Sequence, residues 1–222
     1  MTGIDPGPPV LGVLLAGGQA RRLGGGDKCL QRIGGDTLLE RVLARAAPQV
    51  PHLLINAGGD PARFRRFGLP VVADVIGGFQ GPLAGILTGL EWAERHLPEC
   101  RFVATFATDT PFLPSDLVVR LQQAVEPDRA DLSLAASGGR THPVFGLWPV
   151  RLAAALRQAM TGDGVRKIDA WTARYRVATV AFPTGDGDPF FNVNAPEDLA
   201  EATARLAAAA GTAGTAAPHR PP

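Results

Sequence analysis

The chain has 222 residues, 45% of them hydrophobic, and a formal net charge of +1. That length suits one domain of roughly 100–200 residues with a small appendage, and the apolar share is too high for a disordered chain. The near-neutral balance argues against nucleic-acid binding, which needs a strongly basic face; a local basic cluster on a neutral chain fits a small anionic ligand. Cys29 and Cys100 sit in no C-x-x-C or zinc spacing, so two free thiols in a reducing compartment are expected. Residues 1–9 lack the basic start and apolar run of a signal peptide. No apolar stretch is long enough to span a bilayer, and a cytoplasmic protein without a membrane partner is expected.

Residues 1–9, rich in Pro and Gly, read as a flexible arm, 10–210 as a single folded domain, and 211–222 as a disordered tail. Residues 10–16 form a continuous apolar run that stops at Gly17-Gly18, the pattern of a strand buried on both faces. Asp36 is placed to cap a helix over 37–47, in which Leu38, Leu39, Val42, Leu43 and Ala46 share a face. A strand over 52–56, a short helix over 61–67, a strand over 69–73 ending at Asp74, and a helix over 82–96 follow. Residues 101–107 read as a strand ending at Thr108-Asp109, and 114–125 as a helix with Pro and acidic residues in its first turn. Further strands are expected over 131–136, 142–148 and 176–182, and helices over 150–160 and 165–175. A last helix opens at Asn194, with Asn194 as its cap and Glu197 as the capping-box partner, and runs to about 210. Strands alternating with helices predict an α/β fold, a three-layer α/β/α sandwich around a mostly parallel, Rossmann-like sheet.

The loop after the first strand carries the strongest chemistry. Gly17, Gly18, Gly24, Gly25 and Gly26 surround Arg21, Arg22 and Lys28. Glycines let a backbone approach an anion and turn its N–H groups inward, and Arg and Lys add forked and point charges that match phosphate oxygens. In open α/β sheets, ligands sit beyond the carboxyl ends of the strands, where this loop lies. A Walker loop fails, because Gly26 is followed by Asp27 and Lys28 by Cys29, and the G-x-G-x-x-G fingerprint is absent.

Asp109 ends an apolar strand. If that strand is parallel to the first, its carboxylate shares the loop's edge and can hold the Mg²⁺ that a nucleoside triphosphate requires; a turn or helix-capping Asp is the alternative. Asp74 and Asn56 end two other strands. The Asn56 amide suits a base or sugar edge and equally suits a turn. Pro82 belongs in the first turn of its helix, whose free N–H groups face the same edge, and the small Ala84 and Gly85 would let a flat base lie close. His142 reads as a packed or hydrogen-bonded histidine, Arg140, Arg166 and Lys167 as solvated charges, and Trp171 as core.

Five segments stand in order: L-A-G-G-x-x-x-R-x-G-G-x-D-K over 15–28, Gly81–Gly85, Asp109–Phe112, His142-Pro143 and Phe191–Asn194. Together they resemble the molybdenum cofactor guanylyltransferases within the nucleotidyltransferase superfamily, over residues 10–205. The resemblance implies transfer of GMP from GTP to the phosphate of molybdopterin, with release of pyrophosphate. It implies Arg22, Lys28 and Asp109 as catalytic residues, with Mg²⁺ on Asp109. It places Leu15, Ala16, Gly17, Gly18, Lys28, Asn56, Asp74, Pro82, Leu83 and Asp109 at the nucleotide, and Asn192 and Asn194 at the second substrate. Pairing L-A-G-G with the Gly81–Gly85 segment sides with guanine, since relatives that use cytidine triphosphate tend to carry L-A-A-G. GTP and molybdopterin are the expected partners, with molybdoenzymes or their chaperones as transient ones. Two rivals stand beside this reading: a cytidylyl or sugar-phosphate nucleotidyltransferase, and a non-catalytic nucleotide-binding partner of molybdoenzymes.

Overall fold

The computed structural model describes residues 8–18, 25–78, 81–125 and 130–213. Arg21 and Arg22 lie outside them. The elements run β1 (Val10–Leu15), β2 (Arg32–Ile33), β3 (Asp36–Thr37), α1 (Leu38–Ala46), β4 (His52–Asn56), β5 (Val71–Val72), α2 (Pro82–His96) and β6 (Phe102–Ala107). They continue as α3 (Leu117–Ala124), β7 (Leu132–Ser137), β8 (Arg140–Pro149), α4 (Ala153–Thr161), α5 (Ile168–Thr172), β9 (Val177–Phe182) and α6 (Pro196–Ala213). Seven strands form one sheet in the order β5-β4-β1-β6-β8-β7-β9, and β2 and β3 pair separately. All neighbours in the large sheet are parallel except at β8, which runs antiparallel to both β6 and β7.

The central position of β1 follows from its composition. Val10, Leu14 and Ala16 enter one apolar cluster with Leu39, Val42 and Ala46 of α1 and Leu117, Val118 and Leu121 of α3. Leu11 and Val13, pointing the other way, enter a second cluster with Leu83, Leu87 and Leu90 of α2, Leu156 of α4 and Trp171 of α5. A strand with both faces covered needs apolar residues at consecutive positions, as 10–16 supplies. Each fully buried Leu or Val contributes about 1.5–3 kcal/mol of hydrophobic stabilisation. The result is the three-layer sandwich expected from the alternation of strands and helices.

Several boundaries differ from the sequence reading. Thr37, not Asp36, caps α1: its Oγ1 accepts from the Glu40 N–H, and the Glu40 carboxylate accepts from the Thr37 N–H. Asp36 is held by hairpin pairing to Ile33 and turns its carboxylate to Arg41 at 2.9 Å. At α6 the back-reaching acid is Asp198, not Glu197; it accepts from the N–H groups of Asn194 and Ala195 at 2.7 and 2.9 Å. That frees the Asn194 side chain from capping. The segment 61–67 winds as a 3-10 helix, α3 begins at Leu117, and α5 covers only Ile168–Thr172. The last helix continues to Ala213, into the expected tail. Pro8 and Pro9 are tied down rather than loose, their carbonyls accepting from the Gln122 side chain and the Arg101 N–H. Among the described residues, no helix is long and apolar enough to cross a membrane.

Candidate active site

Parallel pairing brings three strand ends to one edge of the sheet: Leu15 of β1 lies beside Asn56 of β4 and Ala107 of β6. The Gly-rich loop leaves from that edge and returns to it, closed by a hydrogen bond from the Lys28 N–H to the Gly18 carbonyl. A short 3-10 turn, Lys28–Leu30, carries the lysine inward. Asp27, just before Lys28, makes an ion pair with Arg63 at 2.6 Å. Cys29 packs beneath; burial, reinforced by the nearby Asp27 charge, pushes its thiol up to about 12, and both cysteines are free.

Lys28 is only 9% exposed. A buried ammonium is costly unless charge and hydrogen bonds compensate it. Two groups do: Asp109 Oδ2, 2.5 Å from Nζ, and Asn194 Oδ1. Three residues far apart in sequence thus meet at the head of β1. Among the described residues, no group of three or more His, Cys, Asp or Glu clusters as a metal centre. A lone carboxylate such as that of Asp109 could hold only a hard cation that completes its shell with phosphates and waters, as Mg²⁺ does.

On the far side of β1, Asn56 is 5% exposed and donates through Nδ2 to Asp74 Oδ1 at 2.9 Å and to the Val72 carbonyl at 3.2 Å. Asp74 itself is exposed. Pro82 is exposed in the first turn of α2, whereas Leu83 is fully buried, so only the Leu83 backbone is available to a ligand. The expectation for Gly85 is corrected. A Cβ there would collide with Asn56 Oδ1 and the Leu15 side chain. Gly85 is small so that α2 can press onto β1 and β4, and Ala84 is fully buried in the core; neither lies open beneath a base.

The segment 188–194 crosses the same edge. Asp188 Oδ1 accepts from the Ser137 hydroxyl at 2.7 Å and the Phe190 N–H at 2.9 Å. Burial works against its charge, but those two donors and the charges of His142 and Arg140 hold its carboxyl below the usual range. Phe190 packs on His142, Phe145 and Phe182. The Val193 N–H donates to the Asp109 carbonyl at 2.9 Å, and the Thr110 hydroxyl donates to Asn192 Oδ1 at 2.6 Å. Asn192 thus joins the cluster of Lys28, Asp109 and Asn194.

His142 is hydrogen-bonded, its Nε2 lying 2.7 Å from Ser137 Oγ, and burial lowers its imidazole pKa. That matches the packed-histidine expectation. Arg166 is spent on the Met160 and Val165 carbonyls, and Arg140 and Lys167 are exposed. Trp171 is core, against Trp148 and Tyr175. Sequence reasoning missed Thr110, Ser137, Asp188 and Arg63. Only Thr110 carried a signal, as a hydroxyl directly beside the candidate metal carboxylate.

The model of the family described as MobA-like NTP transferase domain matches residues 12–178. A molybdenum cofactor guanylyltransferase of Bradyrhizobium sp. is 57% identical over 199 residues, 90% of this chain and 93% of that protein. One of Nitrobacter hamburgensis is 55% identical over 204 residues, 92% of this chain and 97% of that protein. Among solved structures, the molybdopterin-guanine dinucleotide biosynthesis protein A of Archaeoglobus fulgidus matches with a TM-score of 0.67 at 24% identity. It covers 90% of this chain and 99% of that one, and the likeness concerns the fold.

Proposed function

The chain belongs to the MobA-like NTP transferase family, with molybdenum cofactor guanylyltransferases as near relatives, and on that premise we propose that it moves GMP from GTP onto the phosphate of molybdopterin. It is a nucleotidyltransferase. The observation that carries the reading is the junction of Lys28 with Asp109 and Asn194 at the head of β1. A cation, a carboxylate and an amide converge where the Gly-rich loop turns, and a phosphoryl site at a strand end needs those groups.

In this reading an oxygen of the molybdopterin phosphate attacks the α-phosphorus of GTP. The new P–O bond forms as the bond to the β-phosphate bridge breaks, and pyrophosphate leaves with that electron pair. The attacking phosphate is already ionised, so no strong general base is required. Mg²⁺, when held by Asp109, supplies neutralisation of the triphosphate charge. Lys28 exchanges its carboxylate contact for a phosphate one, and Arg22 steadies the same phosphates. Leu15, Ala16, Gly17 and Gly18 meet the nucleotide through backbone groups, as do Pro82 and Leu83 through the start of α2. Asn56 orients Asp74 toward the nucleoside, and Asn192 and Asn194 face the second substrate. Positioning and charge neutralisation then provide the catalysis. The two buried free thiols suit a reducing, cytoplasmic setting.

Pyrophosphate release measured with GTP, CTP or ATP, each with Mg²⁺, with and without molybdopterin, tests the proposal. Release that requires GTP, Mg²⁺ and molybdopterin together is expected. Preference for CTP overturns the base assignment, and tight GTP binding without release in the presence of molybdopterin overturns the catalytic one.

A further inference from the structure

Thr110 is fully buried, and the reaction described above gives it no part. Its Oγ1 lies 2.6 Å from Asn192 Oδ1 and 3.3 Å from Asp109 Oδ1. A hydroxyl has one proton to give, and the shorter contact takes it. That choice fixes the amide. With Oδ1 turned inward to Thr110, both Nδ2–H donors of Asn192 point outward, on a residue that is itself exposed. The same logic holds at Asn194, whose Oδ1 is taken by Lys28 and whose Nδ2 is turned away. Neither Nδ2 meets an acceptor among the described residues.

The backbone aligns the pair. Val193 is buried, and its N–H is bonded to the Asp109 carbonyl, so the asparagines on either side of it project from one anchored point. Two amides that each spend their only acceptor inward present donors alone to the space beside Asp109. A surface of donors selects an anion and disfavours another donor. We propose that Thr110 is a positioning residue: it fixes the polarity of the Asn192 amide, so that Asn192 and Asn194 form a donor-only cradle for the phosphate of the acceptor substrate. The inference rests on the reading of these asparagines as second-substrate residues.

The test uses the full chain with Mg²⁺, GTP and molybdopterin. Thr110→Val removes the hydroxyl at nearly constant volume, and Thr110→Ser keeps it. Loss of one neutral hydrogen bond corresponds to about a two- to tenfold change. Thr110→Val is expected to raise the KM for molybdopterin by that factor, with the calorimetric affinity for Mg²⁺·GTP unchanged and a small drop in melting temperature, and Thr110→Ser to restore both. A KM equal to that of the unaltered chain, a loss of GTP affinity, or a defect that Ser does not rescue overturns the proposal. Asn192→Asp gives a second test on an exposed residue. It keeps the acceptor facing Thr110 but replaces the outward donors with negative charge, and is expected to raise the KM for molybdopterin more than Asn192→Ala does. Equal or tighter binding by Asn192→Asp overturns the donor-only cradle. If Asn192→Ala raises the KM while Thr110→Val does not, the positioning role fails and the second-substrate reading stands; if Asn192→Ala leaves the KM unchanged, that reading itself fails.

Discussion

The starts of α1 and α6 repeat one device with opposite consequences. Each helix is preceded by a residue that suits an N-cap, Asp36 and Asn194, and in each the capping is done by others. At α1 the work falls to Thr37 and Glu40 in a reciprocal pair. At α6 it falls to Asp198, which reaches back to two backbone N–H groups. Asp36, released, makes an ion pair with Arg41 on the outside of the molecule. Asn194, released, turns its side chain to Lys28 in the site. A residue that looks like a cap is thus free for chemistry where a neighbouring acid takes the backbone donors, and where the element lies decides whether that freedom is used.

Substitutions at the site give the largest expected effects. Lys28→Ala and Asp109→Ala each remove a charge-stabilising group and are expected to lower kcat by about a hundredfold or more, measured as Mg²⁺-dependent pyrophosphate release. Asn194→Ala removes a hydrogen bond to a charged partner, commonly about 1.5–3 kcal/mol, and is expected to cost roughly tenfold to a hundredfold in kcat/KM. The cap should survive, because Asp198 still accepts from both backbone N–H groups, so any loss of stability reflects the less compensated Lys28 ammonium. A loss of helix content in Asn194→Ala, read by circular dichroism, would break the contrast, making Asn194 a cap like any other. The mirror variant Asp198→Ala is expected to lose about 1 kcal/mol of stability, read by denaturant unfolding. Proportionally smaller losses of activity are expected as the segment bearing Asn194 loosens.

The same contrast explains what the sequence made legible. Asp109 was placed at the sheet's ligand edge because it follows directly on an apolar run, and Lys28 because it closes the Gly-rich loop that follows another. Periodicity locates such positions without tertiary knowledge. The partners of Asn192 and Asp188 were not readable. Thr110 and Asn192 are 82 positions apart, and Ser137 and Asp188 are 51 apart, so only the folded chain brings them within hydrogen-bonding distance. Gly85 was misread for a related reason. A small residue near a ligand edge suggests room for a ligand, yet the room is filled by Asn56 and Leu15. The antiparallel placement of β8 also escaped the pattern, since an apolar strand looks alike in either direction. The hairpin of β2 and β3, two residues per strand, is too short to show a period, and it is what holds Asp36 away from the cap.

The smallest effects test the α1 side. Thr37→Ala removes the acceptor for the Glu40 N–H and is expected to cost about 1 kcal/mol, whereas Asp36→Ala should stay within about 0.5 kcal/mol, as surface substitutions do. The pH dependence separates the two further. The Thr37 N–H, then the Thr37 hydroxyl, holds the Glu40 carboxyl below its usual value. A carboxyl depressed by folding adds stability that is fully present above its unfolded pKa and is lost as pH falls through the folded value. The cost of Thr37→Ala, measured by unfolding at several pH values, should therefore be greatest at neutral pH and shrink under acid conditions below the usual glutamate range. Asp36 faces Arg41 across an exposed pair, so the cost of its removal should instead fall with added salt. If Asp36→Ala proved the costlier variant and its effect were insensitive to salt, Asp36 would be the cap after all, and the parallel between the two helix starts would fail at its plainer end.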